Sequence, residues 1–379
     1  MIAVGVPKET QAGEKRVALV PESMTKLAWL RATIEHDAGA EAGFLDSSYT
    51  EKGAAIAPDA GTLYAGADVV LKVQPPTPAE VNLFREESVL ISFIYPLANL
   101  ETVKSLVARR VTTFAMDLMP RISRAQATDA ISSQATISGY KAVLLAANAL
   151  PKLFPMMMTA AGTVSPARVF VLGAGVAGLQ AIAVSRRLGA VVEAYDVRPA
   201  VKEEVSSLGA RFVELPIDTK ESQGAGGYAK AQTDDFYTKQ QQLLMDHAKV
   251  SDVIITTALV PGRKAPLLIS EDAVKSMKPG SVIVDIAAET GGNCALTEAG
   301  KTVVKHGVTI IGPLNLPSSL APQASSFYSR NITTFLGEVM GGGDVSANMN
   351  DEMVRGPLVT YRGEVVHQLT KTALEGGQK

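Results

Sequence analysis

The hydrophobic and polar positions alternate between strand-like and helix-like spacing over most of the chain. MIAVGV at the start is a strand-like apolar run, and PESMTKLAWLR repeats its apolar residues at helical spacing. ADVVLKV reads as a buried strand closed by Pro75-Pro76, VLISFIY as another strand, ETVKSLVARR as a helix and TTFAMDL as a further strand. This alternation predicts a parallel sheet with helices on both faces. After Ser132 comes one long apolar helical stretch, ISGYKAVLLAANALPKLF, with no strand signal. A second alternating series starts at ARVFVLGAGVAG and ends with VTIIGPL, its strands being RVFVL, VVEAYD, RFVEL, DVIITTA, SVIVDIAA and VTIIG. The second sheet looks complete at that point, so the final segment, helical in character, is expected to return to the first. The pattern predicts an α/β protein of two doubly wound, Rossmann-like parallel-sheet domains with a cleft between them. One domain is expected from residues 1–128 plus 318–379, the other, the nucleotide-binding one, from 129–317.

Composition narrows the classes. The 379 residues fit two or three domains by length, and 46% are apolar, enough for a substantial core. Basic and acidic residues nearly balance, 36 against 38, and no basic block interleaves with aromatics, which argues against nucleic acid as a partner. A single cysteine, Cys294, forbids an internal disulfide and a cysteine-based zinc cluster, and no metal site is expected. With no signal-peptide architecture at the N-terminus, reduced cytoplasm is the natural compartment. The longest uncharged apolar run, between Arg168 and Arg186, falls short of a membrane helix and is broken by Gly173, Gly175 and Gly178, so no direct membrane insertion is expected.

Those glycines carry the strongest chemical signal. Gly173-Ala174-Gly175-Val176-Ala177-Gly178 follows an apolar strand and opens a helix, and the next strand ends at Asp196-Val197-Arg198. In such a unit the first glycine makes the tight turn, the second lets the backbone approach a pyrophosphate, and the third allows close helix–strand packing. The helix N-terminus offers oriented N–H donors and a positive dipole to phosphate. Asp196 is placed to accept hydrogen bonds from the adenosine ribose hydroxyls and to repel a 2′-phosphate, which favours NAD over NADP. Arg198 could tolerate that phosphate, or else lie on the surface or stack on adenine. Thr257-Ala258-Leu259 and Ala287-Ala288-Glu289 close later strands and are expected to line the same crevice.

Five segments extend the reading: VPKETQAGEKRVALVPES, MDLMPRISRAQATDAISSQATISGYKAV, FPMMMTAAGTVSPARV, the AGGYAK loop and KPGSVIVDIAAETGGNC. Together they resemble the NAD(H)-binding component of the proton-translocating NAD(P) transhydrogenases, in the alanine dehydrogenase/transhydrogenase family, over essentially the whole chain. Without the resemblance, Met156 to Met158 would read as core filler. The resemblance implies NAD(H) in the cleft, a homodimer, and a loop beside the nicotinamide carrying Arg121, Gln126 and Asp129, with Ser132 one helical turn on. In that reading Arg121 pairs with phosphate or ribose oxygens. Asp129 and Ser132 share a helix face and hold the carboxamide. Gln126 bridges to the second nucleotide's ribose. Read from residue types alone, these positions are an ordinary helix start. Gly224, Gly226, Gly227 and Tyr228 would form a loop that closes over nucleotide. NADP(H) would be bound on a partner, not here. The given chain ends at Lys379 without membrane helices and so resembles the split form, whose membrane-spanning and NADP(H)-binding subunits are other polypeptides. It would then attach peripherally to the inner membrane through them.

The same architecture serves alanine dehydrogenases, the alternative reading. Arg16 and Lys72 match positions that bind the substrate carboxylate there, and in this chain they are expected to survive as structural ion-pair partners. Oxidising an amino acid needs a proton acceptor near the reacting carbon, usually histidine. None occurs between His36 and His247, and the family's Asp-Gln-Gly-Gly reads Glu289-Thr290-Gly291-Gly292. Hydride passing between two nicotinamide rings needs no such base. His36, His247, His306 and His367 are expected to carry no catalytic role, the second and third lying on the surface.

Overall fold

The computed structural model describes residues 2–27, 29–215, 234–259, 264–340 and 350–376. Contacts divide the chain into two units, Met1–Gln134 with Pro317–Lys379, and Ala135–Leu316.

The first unit holds an eight-stranded sheet. Its strands are β1 (Ala3–Val6), β2 (Arg31–Glu35), β3 (Ala55–Ala57), β4 (Val69–Leu71), β5 (Val89–Ser92) and β6 (Thr112–Ala115), joined later in the chain by two more. The first six pair in parallel in the order β6-β5-β4-β1-β2-β3. Successive residues of one strand feed opposite cores, as a sheet covered on both faces requires. Val69 and Leu71 pack with Tyr328, Phe335 and Leu336 of the helix Ala321–Met340, whereas Val70 packs with Leu63, Phe84 and Leu106.

In the second unit, a hairpin of β7 (Met157–Thr159) and β8 (Gly162–Val164), which pair only with each other, precedes the main sheet. Its seven-stranded sheet contains β9 (Arg168–Leu172), β10 (Val191–Tyr195), β11 (Arg211–Phe212), β12 (Val253–Thr256), β13 (Val282–Asp285), β14 (Thr302–Lys305) and β15 (Val308–Ile311). The order is β11-β10-β9-β12-β13-β15-β14. The chain builds outward from β9 to β11, then returns to the other side of β9 with β12, a topological switch point at which α/β sheets open a ligand crevice. All four residues of β12 and of β13 are buried, which explains their apolar first three residues, each run closed by a polar one, Thr256 and Asp285.

The chain after the second unit completes the first sheet. β16 (Leu358–Tyr361) pairs antiparallel with β6, and β17 (Glu364–Val365) antiparallel with β16.

Several elements depart from the sequence expectation. Both sheets carry antiparallel edges, at β16–β17 and at β14, so neither is purely parallel. The final segment is helical only in part, since it also supplies β16 and β17. PESMTKLAWLR forms a 3₁₀ helix over Pro21–Leu27 instead of a full amphipathic helix. It stops because Leu30 N donates to Leu27 O and Arg31 N already donates to Ile2 O, which turns the chain into β2. Met156, Met157 and Met158 are exposed, not core filler.

Candidate functional site

The glycine turn after β9 meets the steric demands of a dinucleotide loop. Gly173 has φ +96°, and a Cβ there would lie 2.6 Å from Thr257 Oγ1. Gly178 is excluded from carrying a side chain because a Cβ would come within 1.8 Å of Gly173 O. At Gly175 an added Cβ meets nothing within 4 Å, so the space over the middle of the turn is open, where a pyrophosphate would approach the backbone. Gly175 is also the N-cap of the helix Val176–Arg187 and makes no side-chain cap bond, which leaves the first-turn N–H groups available to an anion. Of the loop residues, Val176 is exposed and Ala177 half-buried. These features fit a bound dinucleotide.

A further glycine holds that helix in place, and sequence reasoning missed it. Gly139, within the helix Ala130–Ala149, lets Ala177 approach so closely that a Cβ would sit 2.1 Å from Ala177 O. A lone glycine inside a long apolar helix costs about 1 kcal/mol against alanine, and that penalty was the available signal.

Asp196, just beyond β10, is more engaged than expected. Its Oδ2 accepts from Ala174 N at 2.7 Å and from Arg198 Nη2 at 2.8 Å. Oδ1 accepts from Arg198 N and Nε, both at 2.9 Å. The side chain is 6% exposed. Arg198 is half-buried, its guanidinium held by its N–H edge against Asp196. A ribose hydroxyl must share or displace the bonds that Arg198 and Ala174 make to Asp196, and a 2′-phosphate would meet the charge of that carboxylate. Val197, half-buried, packs against the core.

Across the switch point, Thr257 Oγ1 donates to Gly173 O at 3.0 Å and Thr257 N to Leu172 O at 2.8 Å. Ala258 N donates to Asn293 Oδ1 at 3.0 Å, and Leu259 is exposed. The crevice candidates of the later strand end differently: Ala287 and Ala288 are buried, and Glu289 Oε1 accepts from Asn315 N.

In the first unit, Ser123–Thr128 is a 3₁₀ helix on which Gln126 is exposed, and Arg121, just before it, is exposed too. Arg124 pairs with Asp351, and Asn331 Nδ2 donates to Ala127 O at 2.8 Å, so the helix Ala321–Met340 and the segment after it fix this loop. Asp129 stands before the helix Ala130–Ala149, not on its face. Its carboxylate accepts from Ser132 N at 2.9 Å and Ser132 Oγ at 2.6 Å, the bonding of a helix cap. Gly224, Gly226, Gly227 and Tyr228 lie outside the described residues.

Arg16 and Lys72 are buried and internally compensated. Arg16 donates through Nε and Nη2 to Glu14 at 2.8 and 2.6 Å and through Nη1 to Gln134 at 2.8 Å. Lys72, 1% exposed, lies 3.2 Å from Glu9 and 3.1 Å from Glu80. Burial opposes ionisation of Glu14, but the hydrogen bonds and charge of Arg16 overcome it and bring the carboxyl down to about 2. Burial pushes Glu9 the other way, above the usual carboxylate range, against the opposing pull of Lys72. Glu14, Glu9 and Glu80 thus compensate Arg16 and Lys72 from within the chain.

The histidines lie elsewhere. His36 Nδ1 bonds Asp46 at 2.6 Å on the surface. With Asp37 these residues place ligand-type atoms within 4.8 Å of one another, a grouping the hydrogen bonds of Asp46 account for. His247 is not a surface residue: its side chain is 17% exposed, bonds Glu193 at 2.7 Å and lies against Phe170. His306 is exposed beside Glu271, and His367 Nδ1 meets Thr370 Oγ1 at 2.7 Å.

A sheet that reverses order beside a glycine turn, with an acid closing the neighbouring strand, defines a dinucleotide-binding α/β protein of the Rossmann type. The N-terminal domain family of alanine dehydrogenase/PNT matches residues 5–138, and the C-terminal domain family matches 142–368. The chain belongs to the alanine dehydrogenase/PNT family. It is 48% identical over 374 residues to an NAD(P) transhydrogenase alpha-subunit polypeptide from Rhodospirillum rubrum, covering 96% of this chain and 97% of that one. A solved transhydrogenase from Sinorhizobium meliloti superposes with a TM-score of 0.84 at 42% identity, over 97% of this chain and 99% of that one. An alanine dehydrogenase from Bacillus subtilis is more distant, at 28% identity over 96% of this chain and 93% of its own length. Among the described residues no helix is long and apolar enough to cross a membrane.

Proposed function

We propose that this chain is the NAD(H)-binding subunit of a proton-translocating NAD(P) transhydrogenase, exchanging hydride with NADP(H) held by a partner subunit. The observation that carries the reading is the glycine turn, open above Gly175 and tightly packed at Gly173 and Gly178, with Asp196 at the end of β10. NADH supplies a hydride, which the partner's NADP⁺ accepts, so the reaction needs aligned rings and no proton acceptor from this chain. Gly173 to Gly178 would hold the pyrophosphate, Asp196 the adenosine ribose, and Thr257 to Leu259 the other half of the dinucleotide. Arg121, Gln126, Asp129 and Ser132 keep the roles proposed for them beside the nicotinamide, and Gly227 and Tyr228 theirs in a loop that closes over the nucleotide.

The exposed β7–β8 hairpin supports a homodimer. A two-stranded hairpin is marginal alone in water, and this one presents Met157, Met158 and Val164 outward, so a second copy is its natural cover. Attachment to the membrane would come through partner subunits.

The alternative, an alanine dehydrogenase, is disfavoured by Glu14, Glu9 and Glu80, which already satisfy Arg16 and Lys72. Titration of the purified chain with each reduced nucleotide tests the nucleotide assignment. NADH should bind and NADPH should bind much more weakly, and equal affinities would overturn it.

A further inference from the structure

Asp285 ends β13 with 0% exposure and faces five neutral donors. Oδ1 accepts from Thr256 Oγ1 at 2.8 Å and Ala287 N at 3.1 Å. Oδ2 accepts from Asn293 N at 2.8 Å, Cys294 N at 3.0 Å and Thr297 Oγ1 at 2.7 Å. The carboxylate therefore folds the loop after β13 back on itself and ties it to the end of β12. Its main product is the placement of Asn293, also 0% exposed.

Asn293 behaves as a substitute peptide group. The ladder between β12 and β13 stops at Thr256 and Asp285, which leaves Ala258 without a strand partner on that side. The Asn293 amide supplies one: Oδ1 accepts from Ala258 N at 3.0 Å and Nδ2 donates to Ala258 O at 2.9 Å. Nδ2 also donates to Pro266 O at 2.8 Å. On the opposite side, Thr257 is held by Leu172 O and Gly173 O. The segment Thr257–Leu259 is thus clamped from both neighbours at the carboxyl end of the sheet, with Leu259 exposed beyond the clamp.

We infer that Asp285 and Asn293 are positioning residues that set Thr257–Leu259 for the nicotinamide half of the dinucleotide. The side of the crevice follows from the topology. Asp196 lies on the β10 side of the switch point, where the adenosine half belongs, and β12 lies on the other side. Neither brace residue needs to touch the nucleotide. A buried amide that completes a peptide's bonding fixes its height and tilt, and binding falls steeply when such a group shifts. This inference rests on the NAD(H) reading above.

The test compares NADH with adenosine 5′-monophosphate, which occupies the adenosine half alone, by titration calorimetry on the full chain. Asn293→Ala should weaken NADH binding by about tenfold and leave the monophosphate within about twofold of the unmodified chain. Thr256→Val, which removes one donor from Asp285 and keeps the packing, is the milder variant should Asn293→Ala not fold. It should weaken NADH by about threefold, again without effect on the monophosphate. A merely structural brace would weaken both ligands together. An unmodified chain that binds no NADH overturns the nucleotide reading itself. An unmodified chain that binds NADH, with variants that affect both ligands equally or neither, overturns the brace.

Discussion

Asp196 and Arg198 form one unit, and nucleotide preference should follow from how that unit opens. The carboxylate accepts from the Arg198 guanidinium and backbone, and from the glycine loop at Ala174. Asp196→Ala removes a charge-assisted acceptor for ribose and should weaken NADH binding by ~1–3 kcal/mol while narrowing the preference over NADPH. Arg198→Met keeps the acid, takes away the only guanidinium bonded to it among the described residues, and should widen the preference. Parallel titrations with NADH and NADPH check both directions, and the pair of variants moving the preference the same way would contradict the assignment. The position of Asp196 was legible because an acid at a fixed distance beyond a glycine turn is a local signal. The partnership with Arg198 was not, since spacing does not reveal where a guanidinium folds back. Asp285 and Asn293 were invisible for a related reason. Asn293 acts through contacts distant in sequence and Asp285 through a loop folded back on it, and their residue types are equally at home in any turn. At Asp129 and Ser132, the helix-start reading describes the bonds within this chain, and the carboxamide role stays with the proposed function.

At the scale of elements, long apolar runs were the most readable. RVFVL, VVEAYD, DVIITTA, SVIVDIAA and VTIIG all contain strands of the second sheet, because central strands buried on both faces are mostly apolar, with polar residues such as Thr256 and Asp285 at their carboxyl ends. Edge elements were poorly marked. β14 is Thr302–Lys305 with mostly exposed residues, and β16 and β17 are short strands between two helices, so none offers a periodic contrast. The β7–β8 hairpin misled in the opposite sense. Consecutive methionines suggest core, yet here they protrude, with Met158 79% exposed. If a second copy covers the hairpin, Met157→Asp with Met158→Asp should convert a dimer to monomers in sedimentation experiments and leave NADH binding unchanged. A dimer that survives both charges would remove the hairpin from the interface.

The whole molecule combines a nucleotide-binding sheet of the Rossmann order with a first unit whose buried cations are answered from within. Family membership fixes the architecture, and it covers both transhydrogenase subunits and alanine dehydrogenases, so the division between them rests on chemistry. Arg16 and Lys72 read in the sequence as structural ion-pair partners, but their acids, Glu14, Glu9 and Glu80, are apportioned only by the fold. The measurement that bears most directly on the proposed function is hydride exchange in a mixture of this chain with an NADP(H)-binding transhydrogenase component. NADH and a spectroscopically distinct NADP⁺ analogue serve as substrates, and the chain alone with alanine and NAD⁺ serves as the control. The account predicts rapid analogue reduction that depends on both proteins, and no alanine-dependent NADH formation. Alanine-dependent reduction of NAD⁺ by the isolated chain, with no exchange in the mixture, would contradict it.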